Sequence, residues 1–200
     1  MLRSGAHRNF KTGELEMEPD WNVESLLSRE GCDQAKKAVH VWYEVFKQCV
    51  IFFTSPLMRA QQTLFTIMRE LGYKDRLERC FFIDTDLWTH EPEKYLFFDP
   101  DEPIINWINR DMGVAIDIGE DIYNYAIREV ILPKIDEGET LLCISHRGPV
   151  DLLLAYCRKK LCDAEAYSNI RDLYNCEGFV LEFKDGQLSG IKELRFENQA

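Results

Sequence analysis

Three short polar segments of this 200-residue chain contain the side chains best suited to bind or transfer a charged group. They are Arg3-Ser4-Gly5, the stretch 54–63 with Arg59 near its middle, and Ser145-His146-Arg147-Gly148. The imidazole of His146 can titrate near neutral pH, and a guanidinium binds phosphate or carboxylate through two parallel hydrogen bonds. Taken singly, each residue has an ordinary structural explanation, such as a hydrogen-bonded histidine or a solvated arginine. All three segments carry side chains of the types that suit phosphate.

The elements around these segments predict that they meet at one edge of a sheet. Residues 49–53 and 140–144 are short apolar runs that predict buried strands, and each is followed by a predicted helix. In open α/β sheets, ligands bind at the carboxyl ends of the strands. Only two residues precede Arg3, so either the first strand is abbreviated or the sequence begins inside a longer protein.

The alternation of strands and helices predicts the fold class. Strands at 49–53, 80–83 and 140–144 alternate with helices at 28–47, 57–71, 119–137 and after residue 149, with a turn and a short helix at 100–112. Residues 179–188 and beyond, with Asp185-Gly186 at their turn, predict a hairpin. We therefore expect one α/β domain over residues 1–200, a three-layer sandwich whose mostly parallel central sheet has helices on both faces and a C-terminal β-hairpin. Residues 8–27 predict an irregular polar loop.

Composition excludes several classes of function. The net charge of −11 opposes binding to nucleic acid or to an acidic membrane, although clustered arginines can still bind a small anion. Seven cysteines without a Cys-x-x-Cys pair indicate a reducing, cytoplasmic location. The four histidines are scattered and predict no metal site, and no cofactor is expected. The sequence does not predict an oligomeric state.

Taken together, the three segments resemble those of the histidine phosphatase superfamily, the phosphoglycerate mutase-like proteins. The stretch 54–63, T-S-P-L-M-R-A-Q-Q-T, is similar to the family segment S-S-P-x-x-R-A-x-Q-T almost throughout. Ser145-His146-Arg147-Gly148 resembles its S-H-x-G segment, and residues 27–35 resemble its L-T-x-x-G-x-x-Q-A helix start. The resemblance extends from Arg3 to the hairpin.

The resemblance also implies roles for individual residues. In the family, the histidine of an R-H-G signature attacks phosphorus and holds it as a phosphohistidine, and a carboxylate protonates the leaving oxygen. Arg3 and Arg59 correspond to arginines that bind the phosphoryl oxygens. His146 corresponds to the second histidine, which donates to the same oxygens.

Two positions depart from the family pattern. Ser4 occupies the place of the nucleophilic histidine, and a serine hydroxyl is a poor nucleophile without an adjacent base. His7, three residues further on, is interpreted as a surface loop residue rather than a replacement. Thr89 stands where the acid is expected, so Glu91 is the preferred candidate acid, with His90 and Asp86 as alternatives. Glu91 is equally well explained as an exposed loop carboxylate.

These observations leave two hypotheses for function. One is a phosphatase acting on a phosphomonoester, with a small phosphorylated molecule or a phosphorylated protein as substrate. The other is a catalytically inactive pseudophosphatase that binds a phosphorylated ligand or protein partner. Phosphatase is preferred to mutase, because no specific signature for a bisphosphorylated intermediate is present. A substitution introduced at Ser4 to trap substrate is a further explanation that the sequence leaves open.

Overall fold

The computed structural model describes residues 1–3, 7–8, 26–73, 80–82, 102–161, 171 and 173–196. The strands in chain order are β1 (Leu2–Arg3), β2 (His7–Arg8), β3 (Leu26–Leu27), β4 (Cys49–Thr54), β5 (Cys80–Phe82), β6 (Thr140–Ser145), β7 (Gly178–Lys184) and β8 (Gln187–Leu194). The helices are α1 (Arg29–Val41), α2 (Tyr43–Phe46), α3 (Met58–Glu70), α4 (Ile104–Arg110), α5 (Met112–Ile122) and α6 (Pro149–Leu161). A π-helical stretch, Tyr123–Ile131, and a short 3₁₀ turn, Leu132–Lys134, continue from α5.

Six strands form one sheet in the order β5-β4-β6-β1-β7-β8. Strands β5, β4, β6 and β1 are parallel, whereas β7 is antiparallel to both β1 and β8. Asp185 and Gly186 form the hairpin turn with φ of 51° and 71°, as the type I′ turns favoured by Asp-Gly require. The mostly parallel sheet and the C-terminal hairpin predicted from the sequence are therefore confirmed.

Two hydrophobic clusters cover the two faces of this sheet, which confirms the three-layer arrangement. Successive residues of β4 alternate between them, because side chains along a strand point to opposite faces: Ile51 and Phe53 belong to one cluster, and Phe52 to the other. Helices α4, α5 and α6 contribute to the first cluster, and α1 and α3 to the second. Burial on both sides explains why β4 is almost continuously apolar.

The short first strand is integrated into the sheet from both sides. Leu2 and Arg3 pair with Ile144 and Ser145 of β6, and Leu2 also pairs with Gly178 of β7. Phe179 N donates to the Met1 carbonyl at 3.0 Å, and the Met1 amine donates to the Phe179 carbonyl at 2.6 Å. Two strand residues are therefore enough to bridge the parallel strands and the hairpin.

Three local predictions were wrong. The helix predicted over 28–47 ends at Val41, because Trp42 leaves helical geometry (φ −114°, ψ 30°), and α2 follows. The helix predicted from residue 119 begins at Met112, where the side chain of Asp111 accepts a hydrogen bond from Val114 N at 3.2 Å. The segment 8–27, predicted as a loop, begins and ends in a ribbon that pairs Arg8 with Leu26.

Candidate functional site

The sheet register brings the three polar segments to one edge. Strand β6 lies between β4 and β1, with Ser145 paired to Arg3 on one side and Ile144 paired to Thr54 on the other. Ser55 N donates to the Ile144 carbonyl at 2.9 Å, which extends the pairing one residue beyond β4. The backbone of Arg3, the start of the 54–63 segment and His146 therefore occupy neighbouring carboxyl ends of parallel strands.

His146 is the first residue after β6, and its side chain is buried, with only 7% of the residue exposed. The chain turns through Arg147 and Gly148 into α6, and Gly148 has φ of +88°, a conformation that glycine adopts without steric cost. Val150 N donates to the His146 carbonyl at 3.3 Å, and Leu152 N donates to the Gly148 carbonyl at 2.8 Å. The imidazole thus lies at a sharp, hydrogen-bonded transition from strand to helix.

Arg59 lies in the first turn of α3 and is 6% exposed, which is rare for a cation. The turn before it is fixed locally, since Leu57 N donates to Ser55 Oγ at 3.3 Å and Gln61 Nε2 donates to the Pro56 carbonyl at 2.7 Å. Thr63 Oγ1 donates to the Arg59 carbonyl at 2.7 Å within the helix. The segment that resembled a family motif is therefore a strand end, a turn and a helix start that bury one guanidinium.

A buried carboxylate lies beneath the turn that follows His146. Asp151, only 2% exposed, accepts hydrogen bonds from Gly148 N at 3.3 Å through Oδ2 and from Leu173 N at 3.0 Å through Oδ1. Asp151 lies in the first turn of α6, where a carboxylate also interacts favourably with the helix dipole. Its contact with Leu173, 22 residues away, had no signal in the sequence.

A second buried carboxylate, Glu177, organises the residues that lead into β7. It has no exposed surface and accepts from both terminal nitrogens of Arg171 at 3.2 Å. It also accepts from Tyr174 N at 3.0 Å and Phe196 N at 2.8 Å, and forms an ion pair with Arg195 at 3.4 Å. Glu177 immediately precedes Gly178, the partner of Leu2 in β1, so this cluster lies at the same edge of the sheet.

Arg147 joins the turn after His146 to the start of α4. Its Nη2 donates to the Glu102 carbonyl at 2.7 Å, and the Glu102 carboxylate forms an ion pair with Arg110 at 2.9 Å. Arg147 therefore links the turn after His146 to the residues that precede α4.

The remaining predicted site residues are described only in part. Arg3 is described through its backbone in β1, whereas Ser4, Glu91, His90 and Asp86 lie outside the described residues. His7, interpreted from the sequence as a loop residue, lies in β2 and pairs with Leu27. The structure thus brings Arg59, His146 and the backbone of Arg3 to one edge and leaves the nucleophile position and the acid as predictions.

A cavity of about 360 Å³ lies elsewhere, between β3, α1 and α3. It is lined by Leu27, Cys32, Gln62, Phe65, Thr66 and Arg69. None of the residues predicted to take part in chemistry lines it. We therefore base the functional argument on the strand edge and not on this cavity.

The buried cysteines are unsuited to nucleophilic chemistry. Burial raises the pKa of Cys49, Cys143 and Cys157 to about 12, so these thiols stay protonated at neutral pH.

Within the described part of the chain, no group of three or more His, Cys, Asp or Glu side chains is arranged to hold a metal ion. Over the same residues, no helix has both the length and the apolar composition to cross a membrane.

Comparison with known proteins gives a family match and several structural likenesses. The model of the "Histidine phosphatase superfamily (branch 1)" matches residues 12–193, which include Arg59 and His146 but begin after Ser4. No curated protein matches the chain.

Three solved structures illustrate the likeness. "Mycobacterial hydrolase 1" has a TM-score of 0.56 at 16% identity, covering 100% of this chain and 98% of its own. The phosphoserine phosphatase of Entamoeba histolytica in complex with 3-phosphoglyceric acid has a TM-score of 0.51 at 16% identity, covering 98% and 95%. A histidine-to-alanine mutant of an E. histolytica phosphoserine phosphatase in complex with phosphoserine has a TM-score of 0.52 at 17% identity, covering 95% and 93%. At these identities the likeness establishes the fold.

Proposed function

The chain belongs to the histidine phosphatase superfamily (branch 1), and from that premise we propose that it binds a phosphomonoester but does not hydrolyse it, because it cannot form the phosphohistidine of the family. One observation carries the proposal: the residue that follows Arg3 in the sequence, at the position of the histidine in the R-H-G signature of the family, is a serine. The ligand is a small phosphorylated molecule or a phosphorylated side chain of a protein. The protein is thus a pseudophosphatase, and an active phosphatase is the alternative.

The chemistry of Ser4 supports this choice. A serine hydroxyl is not ionised at neutral pH and needs an adjacent base to attack phosphorus. His146 is the candidate base among the predicted site residues, but a base must accept a proton, and arginines around a phosphate pocket disfavour an imidazolium. A phosphoserine ester is also far more stable than a phosphohistidine, so a reaction that began would stop at the covalent intermediate.

The side chains that suit anion binding support the binding half of the proposal. Arg59 is buried beside the end of β4, and His146 is buried at the end of β6. We propose that Arg3, Arg59 and His146 donate hydrogen bonds to the phosphoryl oxygens, which are strong acceptors for charged donors. The amoebic phosphoserine phosphatases, crystallised with phosphoserine and 3-phosphoglyceric acid, support a small phosphorylated ligand. We extend the proposal to a single domain over residues 1–200, which the family match over residues 12–193 supports. We also propose a cytoplasmic location, which the seven cysteines without a Cys-x-x-Cys pair favour.

Phosphate binding and turnover are tested separately. We expect inorganic phosphate or vanadate to raise the melting temperature of the unmodified protein, as ligands of the native state do. Arg59→Ala should weaken phosphate binding by roughly 10- to 100-fold, the value of a hydrogen bond to a charged group. Arg69→Ala is the matched control, because Arg69 is an exposed arginine in the last turn of the same helix. Equal losses of phosphate affinity in Arg59→Ala and Arg69→Ala would contradict the proposed binding site. A melting temperature that phosphate leaves unchanged would also contradict it.

Hydrolysis of p-nitrophenyl phosphate decides between pseudophosphatase and phosphatase. We expect the unmodified protein to release no product above the buffer rate, because it lacks the imidazole nucleophile. Ser4→His restores that nucleophile and is expected to gain activity if the acid is in place. Turnover by the unmodified protein that persists in His7→Ala and disappears in Ser4→Ala would establish the active phosphatase instead.

A further inference from the structure

The hydrogen bonds of Asp151 exceed what its helix requires. Asp151 is the third residue of α6, and its contact with Gly148 N at 3.3 Å is the backward reach of a capping box, in which a side chain of the first turn caps the N-terminal backbone. That contact uses one carboxylate oxygen. The other oxygen accepts from Leu173 N at 3.0 Å, a residue that is fully buried and belongs to a different segment. The second contact therefore does not cap the helix but connects it to the segment that contains Leu173.

Those two segments flank the candidate site. The first is the turn His146–Gly148, and the second is 173–177, which leads into β7 beside β1. The last described backbone pair between β6 and β1 is Ser145 with Arg3, and the carboxylate acts just beyond it, at the turn that follows β6. Glu177 fixes the far end of the second segment through Tyr174 N and Phe196 N.

We propose that Asp151 is a positioning residue, which ties the His146 turn to segment 173–177 and so sets the geometry of the phosphate ligands on β6 relative to those on β1. This inference rests on the proposed function. Asp151 itself does not touch the ligand. Its negative charge, a few residues from an anion site, acts against phosphate binding, so its presence there is explained by the two backbone hydrogen bonds.

An electrostatic role and a positioning role of Asp151 predict opposite changes in phosphate affinity when the residue is replaced. Asp151→Asn removes the negative charge and keeps one acceptor oxygen, while its amide group faces the second N–H donor. If the carboxylate contributed only charge, inorganic phosphate would bind more tightly to this variant. If it positions the two segments, phosphate binds about tenfold more weakly to Asp151→Asn, in line with the loss of one charge-assisted hydrogen bond, and more weakly still to Asp151→Leu.

Calorimetric titration with inorganic phosphate measures this effect, and Leu153→Ala is the matched control for general destabilisation. Leu153 is fully buried two residues further along α6 and belongs to the hydrophobic core. We expect Leu153→Ala to lower the melting temperature and to leave phosphate affinity within about twofold, because a core cavity leaves both backbone contacts of Asp151 intact. Unchanged or tighter phosphate binding by Asp151→Asn, or an equal loss in Leu153→Ala, would overturn the proposal.

Amide hydrogen exchange tests the tether without any ligand. We expect Asp151→Asn to accelerate exchange at Gly148 and Leu173 and to leave the buried strand amides of β6 unchanged. If the unmodified protein binds no phosphate, the proposed function fails, and accelerated exchange at both amides would still support the tether. Unchanged exchange at both amides would overturn the tether whether or not phosphate binds.

Discussion

Glu177 shows how one buried residue can hold a whole segment. Its carboxylate has no exposed surface and satisfies two backbone N–H groups and two arginines. Removing the carboxylate leaves these N–H donors without their acceptor, whereas Arg171 is 45% exposed and Arg195 keeps its ion pair with Glu193. The cost is therefore at the low end of that for breaking a buried pair, about 3 kcal/mol. We therefore expect Glu177→Ala to lower the free energy of unfolding by about that amount, measured by urea denaturation.

Two further substitutions separate this buried cluster from ordinary surface charge. Glu177→Gln retains one acceptor oxygen and should lose less stability than Glu177→Ala. Glu70→Ala removes an exposed carboxylate that pairs with Arg69, and exposed pairs contribute about 0–1 kcal/mol. Similar losses for Glu177→Ala and Glu70→Ala would show that the buried cluster does not hold this edge of the sheet.

Sequence reasoning found residues whose chemistry is visible in their type and missed residues whose role depends on distant partners. Arg59 and His146 were identified because an arginine or a histidine after a strand indicates anion chemistry, and the structure buries both at the expected edge. Asp151 and Glu177 were not identified, because their contacts join residues separated by up to 22 positions in the chain. Such contacts depend on the order of the strands in the sheet, which local sequence patterns do not specify.

At the level of elements, hydrophobic periodicity predicted where strands and helices lie but not all of their ends. The strands at 49–53 and 140–144 were predicted within one residue, since continuous burial on both faces leaves an unmistakable apolar run. The start of α5 was missed because Gly119 was interpreted as a helix boundary. The structure gives this glycine a different reason: a Cβ there would lie 2.5 Å from the Leu152 carbonyl oxygen and 2.7 Å from Tyr156 Cβ.

The close contact of α5 with α6 at Gly119 predicts that replacing glycine by alanine has opposite effects on stability at Gly119 and at Gly113. Gly119→Ala forces the helices apart and should cost about 1–3 kcal/mol or more, as overpacking does. Gly113→Ala meets only the Asp111 carboxylate at 3.7 Å and should stabilise by about 0.4–1 kcal/mol through reduced entropy of the unfolded chain. Thermal or urea unfolding of both variants tests this, and a loss of stability in Gly113→Ala equal to that in Gly119→Ala would contradict the packing argument.

At the level of the whole molecule, three buried thiols are expected to make the protein less stable as the pH rises in the alkaline range. Burial raises the pKa of Cys49, Cys143 and Cys157 from the ordinary value of 9.0 to about 12. In the unfolded chain these thiols ionise above about pH 9, whereas the folded protein keeps their protons until about pH 12. Between these values the folded state binds more protons, so the free energy of unfolding falls as pH rises. The full contribution is present below about pH 9.

The expected loss is about 2 kcal/mol per thiol by about pH 10.5, since one unit of pKa corresponds to about 1.4 kcal/mol. Melting temperatures measured between about pH 7.5 and pH 10.5 test this for the unmodified protein and for Cys143→Ala. The variant should melt lower at neutral pH, because a buried side chain is truncated, yet lose less stability on going to pH 10.5. Other groups also titrate in this range. The test therefore compares how steeply the melting temperature falls with pH in the unmodified protein and in Cys143→Ala. Parallel slopes would show that the Cys143 thiol does not ionise on unfolding and that alkaline sensitivity has another source.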